Sequence, residues 1–402
     1  MKAQLKVKVM VLLCLILSIT LALTVGLSSA WAAPAAKKPA KEDVATAAQL
    51  ETTAVTAVLM DYSSGQILFQ KDMHISRPMA SVTKLMTMLL ICEAESQGKI
   101  KMTDKVVASE HACSMGGSQI FLEPGEEMTV KEMLISIATG SANDCSVAMA
   151  EAIAGSEEAF VDMMNKKAEE MGLKNTHFSN PTGLPTENHH TSAYDMALVL
   201  RQCLRYPIFR EASAIYEYDL RGGDFKLWNT NKLLKWYSGA DAGKTGWTNE
   251  ASYCLAASAK RDGLRLVSVV LGCPMPRTHF TETIKLFNYG FARYKAVNMA
   301  EAGQVIKELE VGKGQVERVK VVTKDPVGLV VVKGQEKNVE GKINLPDKLD
   351  APIEKGQVVG NYIVTKDGQE VLKVDLLAAN EVKKASPLQL LNNMLDRLYS
   401  ME

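Results

Sequence analysis

Three short motifs in this chain carry residue types that can act together on a carbonyl. Ser81-Val82-Thr83-Lys84 opens an apolar run that reaches Ala94. On a helix, i to i+3 spacing puts the serine hydroxyl and the lysine amine on one face, one turn apart. A serine needs a base to become a nucleophile, and a neutral lysine can serve. Lysine ordinarily titrates near ~10.4, so the site must lower that value through burial, the positive end of a helix or a second cation. Ser141-Ala142-Asn143 falls between two predicted helices. Its serine can relay a proton between Lys84 and a leaving group, and its amide can hold a substrate carbonyl and the lysine. Capping of the next helix by Ser141 or Asn143 is the plainer alternative. Lys244-Thr245-Gly246 follows Gly243 and precedes a predicted strand. Lys244 and Thr245 can grip a carboxylate, and Gly246 lets a substrate backbone approach the strand. The alternative there is an ordinary strand with a solvated lysine. Ser-x-x-Lys alone is expected about once by chance in a chain of this size.

The elements that must position these motifs can be read from periodicity. Two β-prone runs from Thr56 to Asp72 flank a Ser-Ser-Gly turn and predict a hairpin. Ser81 to Ala94 is apolar nearly all round, as in a helix buried in its domain. Further helices are predicted over Val130–Ala138 and Asp144–Ala154, the latter closed by Gly155. Tyr253–Lys260 and Leu264–Gly272 flank Arg261-Asp262-Gly263 as a second hairpin. Strands, helices and then strands again predict an α+β domain over residues 47–297, with helices packed on an antiparallel sheet. From 298 to 378, short Val-rich runs separated by Gly and Pro predict a small β-sandwich with no catalytic constellation of its own. Over 387–402, Leu388, Leu391, Leu395 and Leu398 form one apolar stripe. That tail helix can lie in a membrane interface or pack on protein.

At 402 residues the chain calls for two domains, and its formal net charge of zero gives no pointer to nucleic acid. Lys2, Lys6 and Lys8, an apolar run from Val9 to Leu27 and Ala30-Trp31-Ala32 read as a secretory signal peptide over residues 1–32. A retained anchor is the other reading, since the run nearly spans a bilayer. Residues 33–46, rich in Ala, Pro and Lys, read as a linker. Export leaves Cys92, Cys113, Cys145, Cys203, Cys254 and Cys273 where disulfides survive, so one or two bridges are compatible with the sequence. Their wide spacing, without a C-x-x-C pair, argues against a metal site, and no cofactor is expected.

Ser-x-x-Lys, Ser-x-Asn and Lys-Thr-Gly occur in this order, which is the three-motif signature of active-site-serine penicillin-recognising enzymes. From about Thr56 to Phe291 the chain resembles the D-alanyl-D-alanine carboxypeptidases, the low-molecular-mass penicillin-binding proteins. The resemblance extends to Ala80–Thr87, Ser141–Asp144, Asn175-Thr176-His177-Phe178, Asn180-Pro181, Gly183-Leu184, His190–Asp195 and Gly243–Thr248. It also covers the β-rich second domain and the amphipathic tail, which look like that family's membrane-standing architecture.

The resemblance implies that Ser81 attacks the carbonyl between two D-alanines, Lys84 takes its proton, and Ser141 assists transfer to the departing D-alanine. It further implies that Asn143 positions substrate, that Lys244 and Thr245 hold the terminal carboxylate, and that Gly246 admits the peptide. The backbone N–H groups of Ser81 and Trp247 would form the oxyanion hole. Implied partners are stem peptides ending in D-Ala-D-Ala, β-lactams as covalent inhibitors, and a membrane surface outside the cytoplasm. Many relatives carry an arginine near Pro276–Phe280 for the carboxylate; here Arg277 is available and the other candidate position holds His279. His190 either sits near the cleft or is structural, and His177 reads as structural. A β-lactamase shares the motifs, but the added glutamate of the class A type has no counterpart here. A non-catalytic wall-binding scaffold would not retain both Ser81 and Lys84. Endopeptidase action on cross-linked peptides fits the motifs as well.

Overall fold

The computed structural model describes residues 50–390. The expected signal peptide and linker, and most of the tail helix, lie outside the described residues. Five strands form an antiparallel sheet: β1 (Thr56–Asp61), β2 (Ile67–Lys71), β3 (Ala240–Thr248), β4 (Ser252–Arg261) and β5 (Leu264–Cys273), in the order β2-β1-β5-β4-β3. β1 is buried at every position because both sheet faces are covered. Val58 and Met60 join the core under the helices, whereas Ala57 and Leu59 face Leu286 and Phe287 of the C-terminal helix of this domain. The β4–β5 turn pairs Arg261 with Leu264 and places Asp262 at φ 47° and Gly263 at φ 80°. Positive φ at both central residues is the two-residue turn that matches strand twist, and Asp-Gly is its preferred sequence.

Ala80–Thr83 forms a 3-10 turn that runs directly into α1 (Lys84–Ser96). All of α1 from Lys84 to Cys92 is buried, together with Ala94, which accounts for the missing polar face in the sequence. α2 (Val130–Thr139) begins with a capping box between Thr129 and Glu132. α3 (Asn143–Ala154) ends at Gly155, whose φ of 87° only glycine adopts without strain. Four further helices of eight residues or more follow among the described residues: α4 (Glu157–Glu170), α5 (Ala193–Cys203), α6 (Pro207–Ala214) and α7 (Thr278–Arg293). The α+β expectation holds.

Beyond α7 the chain is β-rich. β6 (Tyr294–Ala300) pairs with β9 (Val327–Val332). β7 (Val305–Gly312), β8 (Arg318–Thr323), β10 (Val339–Asn344), β11 (Lys348–Asp350), β12 (Val358–Lys366) and β13 (Gln369–Ala378) form a second sheet in the order β10-β12-β13-β8-β7-β11. Val327, Leu329 and Val331 pack against Val364 and Val374, giving a core between the two sheets. Residues 387–390 start a helical turn, with Gln389 accepting from the Ser386 amide. Among the described residues no helix is long and apolar enough to cross a membrane. All six cysteines among the described residues are free thiols, so the disulfides that export would permit are absent among them. Five are buried in the first, α+β domain, where they act as small apolar side chains.

Candidate active site

The 3-10 turn sets the geometry of the first motif. Residues i and i+3 eclipse in such a turn, and Lys84 Nζ lies 3.1 Å from Ser81 Oγ. Ser81 is half-buried, while Lys84 is fully buried. Nζ has two further partners, Asn143 Oδ1 at 2.6 Å and the Thr182 carbonyl at 2.5 Å. Both of those can only accept. A neutral amine satisfies them with its two N–H bonds and leaves its lone pair for the Ser81 hydroxyl proton. Burial, followed by the repulsion of the Lys244 charge, pushes the Lys84 amine well below the ordinary lysine value, and Asp144 pulls weakly the other way.

Asn143 does not cap α3, and neither does Ser141. The cap position is Ala142, without a side-chain bond. Asn143 Nδ2 instead donates to the Gly116 carbonyl, and its backbone N–H donates to the Ser118 carbonyl, which ties the 116–118 loop to the site. Asp144 supports the same loop from below, accepting from the amides of Ile120 and Leu122. Ser141 sits at φ 62°, an uncommon conformation for a side-chain-bearing residue. It is held there between α2 and α3 with its side chain at the cleft surface.

Lys244 is fully buried and not a solvated strand lysine; its Nζ donates to the Thr245 carbonyl at 2.9 Å. Burial pushes its amine down to about 7. Thr245 Oγ1 donates to Thr230 Oγ1 at 2.8 Å. β3 is the outer strand of its sheet, so its far edge is open to an added strand. A Cβ on Gly246 would stand 2.8 Å from the Met79 carbonyl oxygen and 3.0 Å from the Ser81 amide nitrogen. Glycine at this position lets the strand lie against the Ala80–Thr83 turn.

Ser81, Ser141, Thr245, Gly246, Trp247 and Arg277 line one open cleft of about 450 Å³. Lys84, Asn143 and Lys244 are buried beneath it. Ser81, Lys84, Ser141, Asn143, Lys244, Thr245, Gly246, Trp247 and Arg277 thus fall on or under one surface. Arg277 is exposed at the cleft mouth, with φ 67°, just before α7. His279 also lines the cleft, stacked at 5.5 Å on Tyr253 and 4.0 Å from Phe280. Burial pushes His279 down to about 4, so it is a neutral ring near pH 7. His190 pairs with His177 across a short backbone bridge and does not line the cleft. Its neighbour His189 is the histidine that reaches the Ala80–Thr83 turn.

The sequence reading assigned no role to Thr182 or Gly183. Asn180 Oδ1 accepts from the amides of Thr182 and Gly183 and from Thr182 Oγ1, closing a turn that delivers the Thr182 carbonyl to Lys84. Asn-Pro-Thr-Gly is a strong turn signal, but nothing local reveals what the turn touches.

The chain matches the family described as D-alanyl-D-alanine carboxypeptidase over residues 43–275, and that described as penicillin-binding protein 5, C-terminal domain, over 294–384. It is 47% identical over 350 residues to D-alanyl-D-alanine carboxypeptidase DacF of Bacillus subtilis, covering 86% of this chain and 90% of the relative. Identity to D-alanyl-D-alanine carboxypeptidase DacA of Escherichia coli is 33% over 338 residues, 82% of this chain and 83% of that one. The crystal structure of penicillin binding protein 5 from Haemophilus influenzae superposes with a TM-score of 0.66 at 35% identity, covering 83% of this chain and 98% of that chain. Sequence, fold and the serine–lysine cleft agree, and the chain belongs to the serine-type D-alanyl-D-alanine carboxypeptidase family of penicillin-binding hydrolases.

Proposed function

We propose that this enzyme removes the terminal D-alanine from peptidoglycan pentapeptides through an acyl-enzyme on Ser81. The observation that carries this reading is the buried Lys84 amine, whose two other partners can only accept and whose lone pair is therefore left to the Ser81 hydroxyl. Lys84 takes the hydroxyl proton as Oγ bonds to the carbonyl carbon between the two D-alanines. The resulting oxyanion is held by the backbone N–H groups of Ser81 and Trp247. Collapse breaks the C–N bond, and the departing amine receives the proton by way of Ser141. Water then adds to the ester, its proton passing to Lys84, and hydrolysis frees Ser81. Asn143 orients both Lys84 and the substrate. A β-lactam acylates Ser81 in the same way and leaves slowly.

Lys244, Thr245 and Arg277 hold the terminal carboxylate, which is why a free chain end is required. Lys244→Ala is expected to raise KM for D-Ala-D-Ala peptides about 10- to 100-fold, the loss of a charged hydrogen bond worth ~1.5–3 kcal/mol. Steady-state kinetics check this. An unchanged KM would remove Lys244 from carboxylate binding.

The catalytic domain (47–297) and the β-sandwich (298–378) work on the outer side of the membrane. Residues 1–32 direct export, 33–46 act as linker, and the apolar stripe of 387–402 rests on the membrane surface. Membrane fractionation of the full chain against one ending at Ser386 tests the tail, and equal partitioning would contradict it.

A further inference from the structure

His189 is buried, with 8% of its surface exposed, and no step of the mechanism above uses it. Its ring packs edge-on against Phe178. The Ser179 amide N–H donates to Nδ1 at 2.9 Å, so Nδ1 carries the lone pair and the ring proton is on Nε2. Nε2 lies 2.7 Å from Thr83 Oγ1, and Thr83 Oγ1 is 2.8 Å from the Ala80 carbonyl oxygen. The protons can be placed in one direction only. Ser179 N–H points to Nδ1, Nε2–H points to Thr83 Oγ1, and the Thr83 hydroxyl points to the Ala80 carbonyl.

That carbonyl belongs to the same planar peptide as the Ser81 N–H. Fixing the direction of the carbonyl fixes the opposite direction of the N–H. Ala80 has φ 48°, outside the regions side-chain-bearing residues prefer, so the orientation needs outside support. The neutral ring the chain requires is the form favoured here. Burial pushes His189 down to about 4.

We propose that His189, acting through Thr83, is a positioning residue that aims the Ser81 backbone N–H at the oxyanion. The proposal rests on the reading of Ser81 as nucleophile and its N–H as an oxyanion donor. Asparagine at 189 can accept from Ser179 but cannot reach Thr83, whereas glutamine can reach Thr83. Thr83→Val removes the hydroxyl at nearly constant volume, and Thr83→Ser keeps it.

The test measures kcat and KM for D-alanine release, with affinity for a peptide boronic acid whose tetrahedral adduct places an oxygen in the oxyanion hole. His189→Asn and Thr83→Val should each lower kcat on the order of 10-fold, less than the 10²–10³ for deleting a donor outright, with KM nearly unchanged. Boronate affinity should fall by the same factor. His189→Gln and Thr83→Ser should retain most of the rate. The His189→Asn/Thr83→Val double variant should be little worse than either single, since both break one chain. Equal losses in His189→Asn and His189→Gln that track a fall in Tm would overturn the proposal in favour of a packing role. So would wild-type kcat in His189→Asn or Thr83→Val when the wild-type enzyme is active. A wild-type enzyme that neither releases D-alanine nor is acylated at Ser81 would instead overturn the underlying reading, and this proposal with it.

Discussion

Lys84→Ala is expected to lower the rate of Ser81 acylation about 10³- to 10⁴-fold, the upper range for removing a general base, while the folded protein still binds substrate. The amine is the only basic group bonded to the Ser81 hydroxyl among the described residues. The cleft lining is otherwise unchanged, because Lys84 lies beneath it. Ground-state contacts to the peptide therefore survive, and the loss should appear in the acylation rate and not in KM. The same assignment fixes a pH dependence. Lys84 must be unprotonated to accept the serine proton, and burial with the Lys244 charge lowers its value. Acylation should therefore be sustained at pH values where an ordinary lysine is fully charged, and fall as pH drops through the lowered Lys84 value. Replacing Lys244 by an uncharged residue removes one lowering influence, so that acid limb should move to higher pH. Stopped-flow acylation by a chromogenic β-lactam across pH measures both. Wild-type acylation by Lys84→Ala would end its assignment as base.

Gly183→Ala is expected to reduce both stability and acylation. Gly183 has φ 85°, and a Cβ there would stand 2.0 Å from the Ala80 carbonyl oxygen and 2.9 Å from the Ser81 amide nitrogen. The backbone strain alone costs about 1–3 kcal/mol. The clash cannot be relieved by a side-chain rotation, since the atoms it meets are backbone. Either the 180–183 turn retreats, taking the Thr182 carbonyl away from Lys84, or the nucleophile turn shifts. Each route misplaces a reacting group, and a displacement of about 1 Å can cost 10²-fold in rate. Urea unfolding and acylation kinetics should both report it. An Ala variant with wild-type acylation would show that the turn does not constrain the nucleophile.

The sequence was most informative where function and local structure coincide. Ser81 and Lys84 are three apart, so their contact could be read from helical spacing alone. The α2 and α3 helices were legible because their ends carry strong signals, the Thr129/Glu132 box and Gly155. α4 and α5 carry comparable signals at Ser156 and Ser192, each accepting from the third residue on, and could have been found the same way. α7 could not be found from capping, since Arg277 precedes it in a left-handed conformation with no side-chain cap. The partners that set the chemistry of Lys84 were beyond local reading. Thr182 lies 98 residues away and contributes a backbone carbonyl, which any residue type could supply. The burial of Lys244 likewise depends on packing between the sheet edge and the helices. Whether His190 reaches the cleft turned on a backbone bridge to His177 that the residue itself does not advertise.

The central claim is tested most directly by D-alanine release from a diacyl-Lys-D-Ala-D-Ala peptide, using protein without residues 387–402. Wild-type enzyme should release D-alanine, and both Ser81→Ala and prior treatment with penicillin should abolish release. Release that survives the Ser81→Ala substitution, or no release from a protein that still forms a penicillin adduct, would contradict a Ser81-dependent carboxypeptidase.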